Sequence, residues 1–166
     1  NCFYGAIRST ISEDSTGQLA ADNTNEQGYC PHCGQIVKWQ PVTFTSGEYF
    51  TGEGHFYLTG SITDISSMIR IGEQVASENA VVLDLNGKTI SAAAEKTVRV
   101  FYVNSELSIL DSAGLGKVTG RTTANGGTIY TGTNARLYIY SGSCMAPVDA
   151  TGANGGVIAT NGETII

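Results

Sequence analysis

An internal repeat constrains the fold of this chain more than any other feature of its sequence. The segment ANGGTI at residues 124–129 returns 29 residues later as ANGGVI at residues 153–158. The segment LSILDS at residues 107–112 is likewise followed, 30 residues later, by the similar LYIYSG at residues 137–142. A period of this length is typical of stacked structural units, each of which packs against its neighbours in the stack.

Short runs of β-branched, aliphatic and aromatic residues recur along the chain between Gly and Asn residues. These runs have the length of β-strands, and no convincing helical pattern interrupts them. The most helix-like stretch, residues 65–78, contains Gly72 and lacks an apolar stripe, so a strand with flanking turns is the better prediction. Tight corners between strands need positive φ, which Asn and Gly adopt readily. The expected strands are 55–58, 68–71, 81–85, 98–103, 107–110, 128–130, 137–140, 157–159 and 164–166, and Asn-Gly corners are expected at Asn86, Asn125, Asn154 and Asn161.

The charge and hydropathy of the chain exclude two classes of partner. Nine Lys and Arg stand against 15 Asp and Glu, a net charge of -6, so no positive field exists to hold a nucleic acid backbone. No apolar run approaches the roughly 20 residues of a membrane-spanning helix.

The chain starts with Asn1 and has no apolar signal core, which favours a mature secreted chain, located outside the cell or at its surface.

The repeat region resembles the right-handed parallel β-helix, the pectate-lyase-like fold of large bacterial secreted and cell-surface proteins. The matching motifs are VLDLNGKTI at residues 82–90, LSILDS at 107–112, GKVTG at 116–120 and the Asn-Gly-Gly-x-Ile turns. The resemblance covers roughly residues 54–166. It implies an all-β fold, a β-solenoid in which each strand pairs with its equivalents one coil above and below. It says little about activity.

A loop-rich, cysteine-containing extension is predicted to precede the coils. We place it at residues 1–47 and the coils at residues 48–166, with residues 12–28 polar and aperiodic in the manner of a long surface loop. The CPHCG motif at residues 30–34 resembles the cysteine knuckles that precede such repeats in some β-helix proteins. Only one cysteine, Cys2, stands where a first pair is expected, and this departure puts a four-cysteine metal site in doubt.

Two kinds of cysteine chemistry are open to this region. A Cys-x-x-Cys turn offers two thiolates to one tetrahedral ion, so Cys2, Cys30 and Cys33 are candidate ligands of a structural zinc ion. His32, His55 or a water would then be the fourth ligand. Alternatively, Cys2 forms a disulfide with Cys30 or Cys33, since four cysteines in a secreted chain permit pairing.

Candidates for catalysis or glycan binding are few. Enzymes with this fold would cleave polysaccharides with paired acids or with a base beside Ca²⁺, and the acids nearest to strands are Asp84 and Asp111. Asp84 is better explained as facing solvent or bonding a neighbouring coil, so a non-catalytic protein is expected and lyase-like activity is the alternative. Several tyrosines either stack on the sugar rings of a glycan or cover a sheet face, among them Tyr102, Tyr130, Tyr138 and Tyr140.

The C-terminal strand suggests how the chain assembles. Thr164, Ile165 and Ile166 form an apolar strand without a polar cap, and such an edge is a template for strands of another chain. Head-to-tail repetition of that contact builds a filament. The sequence therefore predicts a structural homopolymer, an extracellular filament or surface fibre. The alternative is a fragment of a larger surface adhesin or carbohydrate-binding β-helix protein.

Overall fold

The computed structural model describes residues 27–30, 33–72, 80–121, 127–145 and 157–166. Within these ranges the chain forms strands and turns, and nothing helical is long or apolar enough to cross a bilayer. The strands are β1 Gln27–Cys30, β2 Gln35–Val42, β3 Tyr49–Phe50, β4 Gly54–Leu58, β5 Ile62–Ile65, β6 Ile69–Ile71, β7 Ala80–Asp84, β8 Thr89–Ala92, β9 Phe101–Val103, β10 Glu106–Leu110, β11 Lys117–Thr119, β12 Ile129–Thr131, β13 Arg136–Ile139, β14 Ser143–Met145, β15 Ile158–Thr160 and β16 Glu163–Ile165.

Three sheets run along the stack of coils. The first sheet has the order β1-β2-β4-β7-β10-β13-β16, the second β14-β11-β8-β5 and the third β15-β12-β9-β6-β3. From β4 to β15 the chain visits the first, second and third sheet in turn before it returns to the first. Every described strand pairing is parallel except that of β1 with β2. The fold is a parallel β-solenoid, which confirms the predicted fold class.

The register of the parallel strands reproduces the sequence repeat. Leu107 of β10 lies opposite Leu137 of β13, which is the 30-residue shift read from the sequence. Ile129 of β12 lies opposite Ile158 of β15, which is the 29-residue shift. Equivalent side chains therefore stack in columns along the solenoid. The repeat in the sequence corresponds to one turn of the solenoid in each case.

The inside of the coils is filled by apolar side chains from all three sheets. Phe44 contacts the rings of both Phe50 and Phe101 edge to face, with ring centroids 5.2 and 5.9 Å apart. Complete burial of one such side chain contributes about 1.5–3 kcal/mol, so the stacked columns dominate the stability of the coils. Fully buried members of this core include Leu58, Ile65, Ile69, Ile71, Leu83, Leu85, Ile90, Val100, Phe101, Val103, Leu107, Val118, Ile129 and Leu137.

The Asn-Gly corners agree with the prediction at one site and differ at another. Asn86 and Gly87 both have positive φ, 48° and 70°, as the tight corner after β7 requires. Asn161 and Gly162 do form the corner between β15 and β16, but neither adopts positive φ, so the predicted place is confirmed and the predicted conformation is wrong. Gly162 is needed there for space, because an added Cβ would lie 2.0 Å from the carbonyl oxygen of Ala135 in the preceding coil. The corners predicted at Asn125 and Asn154 lie outside the described residues.

The helix-like stretch at residues 65–78 is a strand where the structure describes it. Ile69–Ile71 forms β6, and Gly72 follows with a φ of 87°, which ends the strand in a turn. Residues 73–79 lie outside the described ranges. The short strands of the second sheet were not predicted as separate strands, because three or four residues are too few to show an alternation pattern. These strands are β5, β8, β11 and β14.

We expect Gly120→Ala to destabilise the coils by about 3 kcal/mol through overpacking. An added Cβ would lie 2.0 Å from the carbonyl oxygen of Gly127 and 2.8 Å from the Cα of Thr128, so backbone must move. Gly60→Ala is the matched control, because no atom lies within 4 Å of the added methyl group. Urea unfolding followed by circular dichroism compares the two variants. An unfolding midpoint equal to that of wild type in Gly120→Ala would contradict the expected clash.

Candidate functional site

A tight hairpin brings two cysteine thiols together at one end of the solenoid. β1 and β2 pair antiparallel, with Cys30 opposite Gln35 at the turn. The turn is closed by a hydrogen bond from the Gly34 amide to the Cys30 carbonyl, 2.8 Å, and Gly34 has a φ of 71°. A residue with a Cβ rarely adopts this φ, so the glycine of the CPHCG motif shapes the turn that carries Cys30 and Cys33.

A histidine from the next coil joins the two cysteines. β2 pairs in parallel with β4, and the register sets Trp39 opposite His55. The Trp39 indole packs edge to face with the His55 imidazole, with ring centroids 5.3 Å apart and an interplanar angle of 75°. The Sγ atom of Cys33 lies 3.7 Å from Nε2 of His55. The ligand atoms of Cys30, Cys33 and His55 all lie within 4.8 Å of one another.

The cluster of Cys30, Cys33 and His55 lies at the boundary between core and solvent. Cys30 is completely buried, His55 is half-buried and Cys33 is exposed, and neither cysteine forms a disulfide with another described residue. Burial chiefly raises the pKa of the nearby Tyr140, and negative charge on Cys30 raises it further. A positive ion at the cluster would oppose that second effect. The site is therefore shielded from water at Cys30 and open to water at Cys33.

Cys30 belongs to a second apolar cluster, on the outer face of the first sheet. Its buried members are Cys30, Trp39, Tyr57, Val82 and Leu110, which come from five different strands or their ends. Sequence reasoning missed this cluster. Its signal was present, because runs such as HFYL at residues 55–58 and VVLDL at 81–85 are apolar at successive positions, as in strands buried on both faces.

The predicted cysteine ligands are partly brought together. The structure places Cys30 and Cys33 side by side and adds His55, which was one of the alternatives named for the fourth ligand. Cys2 and His32 lie outside the described residues, so their participation stays a prediction. The same holds for a disulfide that involves Cys2.

The two acids considered for catalysis instead join neighbouring coils. Oδ1 of Asp84 accepts hydrogen bonds from the amides of Asn86, 2.8 Å, and of Ser112 in the next coil, 3.0 Å. Asp111 of that next coil binds the coil before it, because its Oδ1 accepts a hydrogen bond of 2.7 Å from the Gly87 amide. The expectation that Asp84 bonds a neighbouring coil is confirmed. Oδ1 of Asp84 and both oxygens of Asp111 accept from backbone amides, and both side chains are completely buried.

Burial changes the acidity of Asp84. Asp84 has no exposed surface, and removal of its carboxyl group from water raises its pKa to about 7, against the lowering effect of the amide hydrogen bonds. The negative charge of Asp111 raises it further. Its second oxygen, Oδ2, is buried beside the Ser112 side chain without a hydrogen bond of good geometry. The environment thus favours the neutral acid.

The four tyrosines are partly exposed and pack against one another in two pairs. Tyr102 and Tyr130 are opposite each other in β9 and β12, with ring centroids 5.1 Å apart. The Arg99 guanidinium lies 4.9 Å from the centre of the Tyr130 ring. Tyr138 and Tyr140 also stack, with centroids 6.5 Å apart. These contacts support the interpretation that the tyrosines cover a sheet face.

Two of the predicted assembly residues, Thr164 and Ile165, lie in β16 at one edge of the first sheet, and Ile166 directly follows that strand. β16 pairs with β13, so that Thr164 lies opposite Leu137 and Ile165 opposite Tyr138. Ile165 is 49 % exposed and Ile166 85 % exposed. The Thr164 hydroxyl is buried without a hydrogen bond. In the described part of the chain, no strand pairs with the far side of β16.

No protein-family profile, curated protein or solved structure matches the chain. The β-solenoid therefore stands on the strand pairing described above. The pectate-lyase-like relationship and the bacterial origin stay predictions.

Proposed function

We propose that this chain is a non-catalytic structural subunit, a β-solenoid that pairs end to end with further copies of itself in an extracellular filament or surface fibre. The observation that carries the proposal is the common end of the three sheets. β14, β15 and β16 are the last strands of the second, third and first sheet, and each pairs on one side within the described residues. The extracellular setting follows from the resemblance to secreted β-helix proteins.

The edge at β16 is suited to pairing with another strand. A strand that pairs on one side presents a row of amide and carbonyl groups, which template further pairing unless they are blocked. Charged residues, prolines and bulges are the usual blocks, and β16 with its flanking residue has only Glu163 among them. The Glu163 side chain is engaged with Arg136, 3.5 Å away. Ile165 and Ile166 add exposed apolar surface next to this edge.

The two ends of the described solenoid differ, which determines the symmetry of any stack. Among the described strands, the opposite end of the first sheet is the antiparallel hairpin β1–β2, and those of the third and second sheets are β3 and β5. A contact between unlike ends is heterologous, and it yields an open filament when the rotation between copies does not close a ring. Repeated head-to-tail contact therefore predicts unbranched fibres with a direction.

The acids also favour a structural role over catalysis. Asp84 and Asp111 have carboxylate oxygens that accept amide hydrogen bonds within and between coils. Glycosidases need two carboxyl groups that both reach the substrate, and a lyase needs free carboxylate oxygens for Ca²⁺. Asp84 and Asp111 are bound to backbone amides, so this pair of carboxyl groups fits neither mechanism.

We expect the double variant Ile165→Asp/Ile166→Asp to lose assembly, because in the head-to-tail contact two carboxylates would be removed from water without a compensating partner, and the edge would lose apolar surface. Burial of half of an isoleucine side chain contributes about 0.75–1.5 kcal/mol, so the loss of two such contacts should raise the concentration needed for assembly at least about tenfold. Negative-stain electron microscopy and sedimentation over a concentration series measure this. Leu115→Asp is the matched control, since Leu115 is 70 % exposed but lies between β10 and β11, away from the strand edge.

Wild-type fibres, together with a double variant that stays dispersed and a Leu115→Asp control that assembles, would support the proposal. Equal assembly of wild type and double variant would overturn the role of this edge. Dispersed wild-type particles at every concentration would overturn the filament itself. That result would favour the alternative of a module within a larger surface adhesin.

A further inference from the structure

We propose that Cys30, Cys33 and His55 form a zinc site that fastens the hairpin β1–β2 to the first complete coil. The three side chains come from the end of β1, from the turn after it and from β4. An ion held by all three would connect elements 22 residues apart in the sequence. This inference does not depend on the filament proposal.

The distances fit the size of a tetrahedral zinc centre. Zinc–sulfur bonds of about 2.3 Å and zinc–nitrogen bonds of about 2.05 Å at a tetrahedral angle set sulfur and nitrogen about 3.6 Å apart. The Cys33 Sγ to His55 Nε2 distance is 3.7 Å. The ligand atom of Cys30 lies within 4.8 Å of both, so only a small side-chain adjustment completes three ligands.

The chemistry of the three ligands selects the kind of ion. Thiolates are soft ligands that favour zinc over calcium or magnesium, and imidazole also suits zinc. On binding, Cys30 and Cys33 each release one proton to solvent, and His55 binds as the neutral ring. Two thiolates then neutralise the charge of the ion, which a half-buried location tolerates. Because Cys33 is exposed, the fourth position is accessible to a water molecule.

The surroundings of the site hold the ligands in place. The Trp39 ring is completely buried and packs against the imidazole of His55, which restricts the orientation of that ring. Cys30 is fixed in the outer-face cluster with Tyr57 and Val82. Rigid support of this kind lowers the ordering cost of ion binding.

A thiol–imidazole pair of Cys33 and His55 alone is the competing interpretation, since Cys33 is exposed and the pair is close enough to interact. Such a pair would mark a reactive nucleophile. A reactive nucleophile needs only one thiol. In the structure, two thiols lie within 4.8 Å of the same imidazole. The second thiol therefore favours the metal site.

The test is metal content and cobalt binding of the whole chain, purified without an affinity tag and without chelator. We expect one zinc per chain by elemental mass spectrometry. Cobalt titration of the stripped protein should give the thiolate-to-cobalt charge-transfer and d–d absorption of a tetrahedral centre. Cys33→Ser and His55→Gln should each weaken zinc binding more than about 100-fold, since loss of a side chain that binds the ion costs more than the roughly 10–100-fold lost with a residue that only supports a ligand. Cys144→Ser, which removes a thiol from β14 of the second sheet, is the matched control and should bind normally.

Hydrogen exchange tests the fastening role separately. Chelation should speed exchange of the β2 amides at Gln35–Val42 and leave those of β10 at Glu106–Leu110 unchanged. Wild type without stoichiometric zinc or a thiolate–cobalt spectrum would overturn the proposal. Binding at wild-type strength in both Cys33→Ser and His55→Gln would do the same. Alkylation of Cys33 at one rate with and without zinc would point to the thiol–imidazole pair instead.

Discussion

Replacement of Asp111 with alanine should destabilise the middle coils by about 3–5 kcal/mol, the largest loss that we expect from any single side chain here. The Asp111 carboxylate accepts two amide hydrogen bonds, from Gly87 at 2.7 Å and from Gly116 at 2.6 Å. Alanine would leave both amides without this acceptor at a completely buried position. Each lost bond to a charged acceptor costs about 1.5–3 kcal/mol.

The measurement is urea unfolding followed by circular dichroism, with hydrogen exchange to locate the loss. Exchange should increase at the corners after β7 and β10, where the two amides lie, before it increases in the first coil. Asp64→Ala is the matched control, since Asp64 is an exposed strand residue and its removal should change stability by less than about 0.5 kcal/mol. Equal midpoints for Asp111→Ala and Asp64→Ala would contradict the inter-coil role of Asp111.

The buried Asp84 should make the solenoid less stable as pH rises from about 4 to about 7. Its folded pKa of about 7 lies above the ordinary value of 3.8, so the folded state holds this proton more tightly than the unfolded chain. Folding is therefore favoured most below the ordinary value, and the advantage is lost as pH rises through the folded pKa. Above about pH 7 the loss is nearly complete. It amounts to roughly 4 kcal/mol, since the pKa rises by about three and each pKa unit corresponds to about 1.4 kcal/mol.

Asp84→Asn isolates this effect from the other acids of the chain. The amide has no proton to lose, and its Oδ1 can still accept from the amides of Asn86 and Ser112. The difference in unfolding free energy between variant and wild type should therefore grow in favour of the variant from pH 4 to pH 8. Urea unfolding at four or five pH values measures it. A difference that is constant with pH would show that Asp84 is not a buried acid of raised pKa.

The period and the strands could be predicted from the sequence because they are local or repeated signals. The pairs Leu107–Leu137 and Ile129–Ile158 have the 30- and 29-residue shifts that the sequence shows directly. Asn86 takes positive φ because asparagine tolerates this conformation without regard to the rest of the fold. Gly162 shows the limit of that reasoning, since the carbonyl of Ala135 in the preceding coil decides its role.

Cys30 and Cys33 of the candidate zinc site could be predicted from the sequence. His55 could be named only as one of several alternatives for a further ligand. Cys30 and Cys33 are close in sequence, so a turn alone brings them together. His55 reaches them through the parallel register of β2 and β4, which sets Trp39 opposite His55. A shift of that register by one residue would turn His55 to the other face of the sheet. No local pattern encodes this choice.

The stacked register also bears on how such a chain changes length during evolution. Because Glu106 lies opposite both Ala80 and Arg136, each turn of the coil repeats the same cross-section on the one before it. Duplication of one complete turn, about 30 residues, would set every inserted side chain over its own equivalent, as in other repeat proteins. An insertion of half that length would bring unlike sides of the coil together. Gene duplication in whole turns would therefore lengthen such a chain and keep the order of its three sheets.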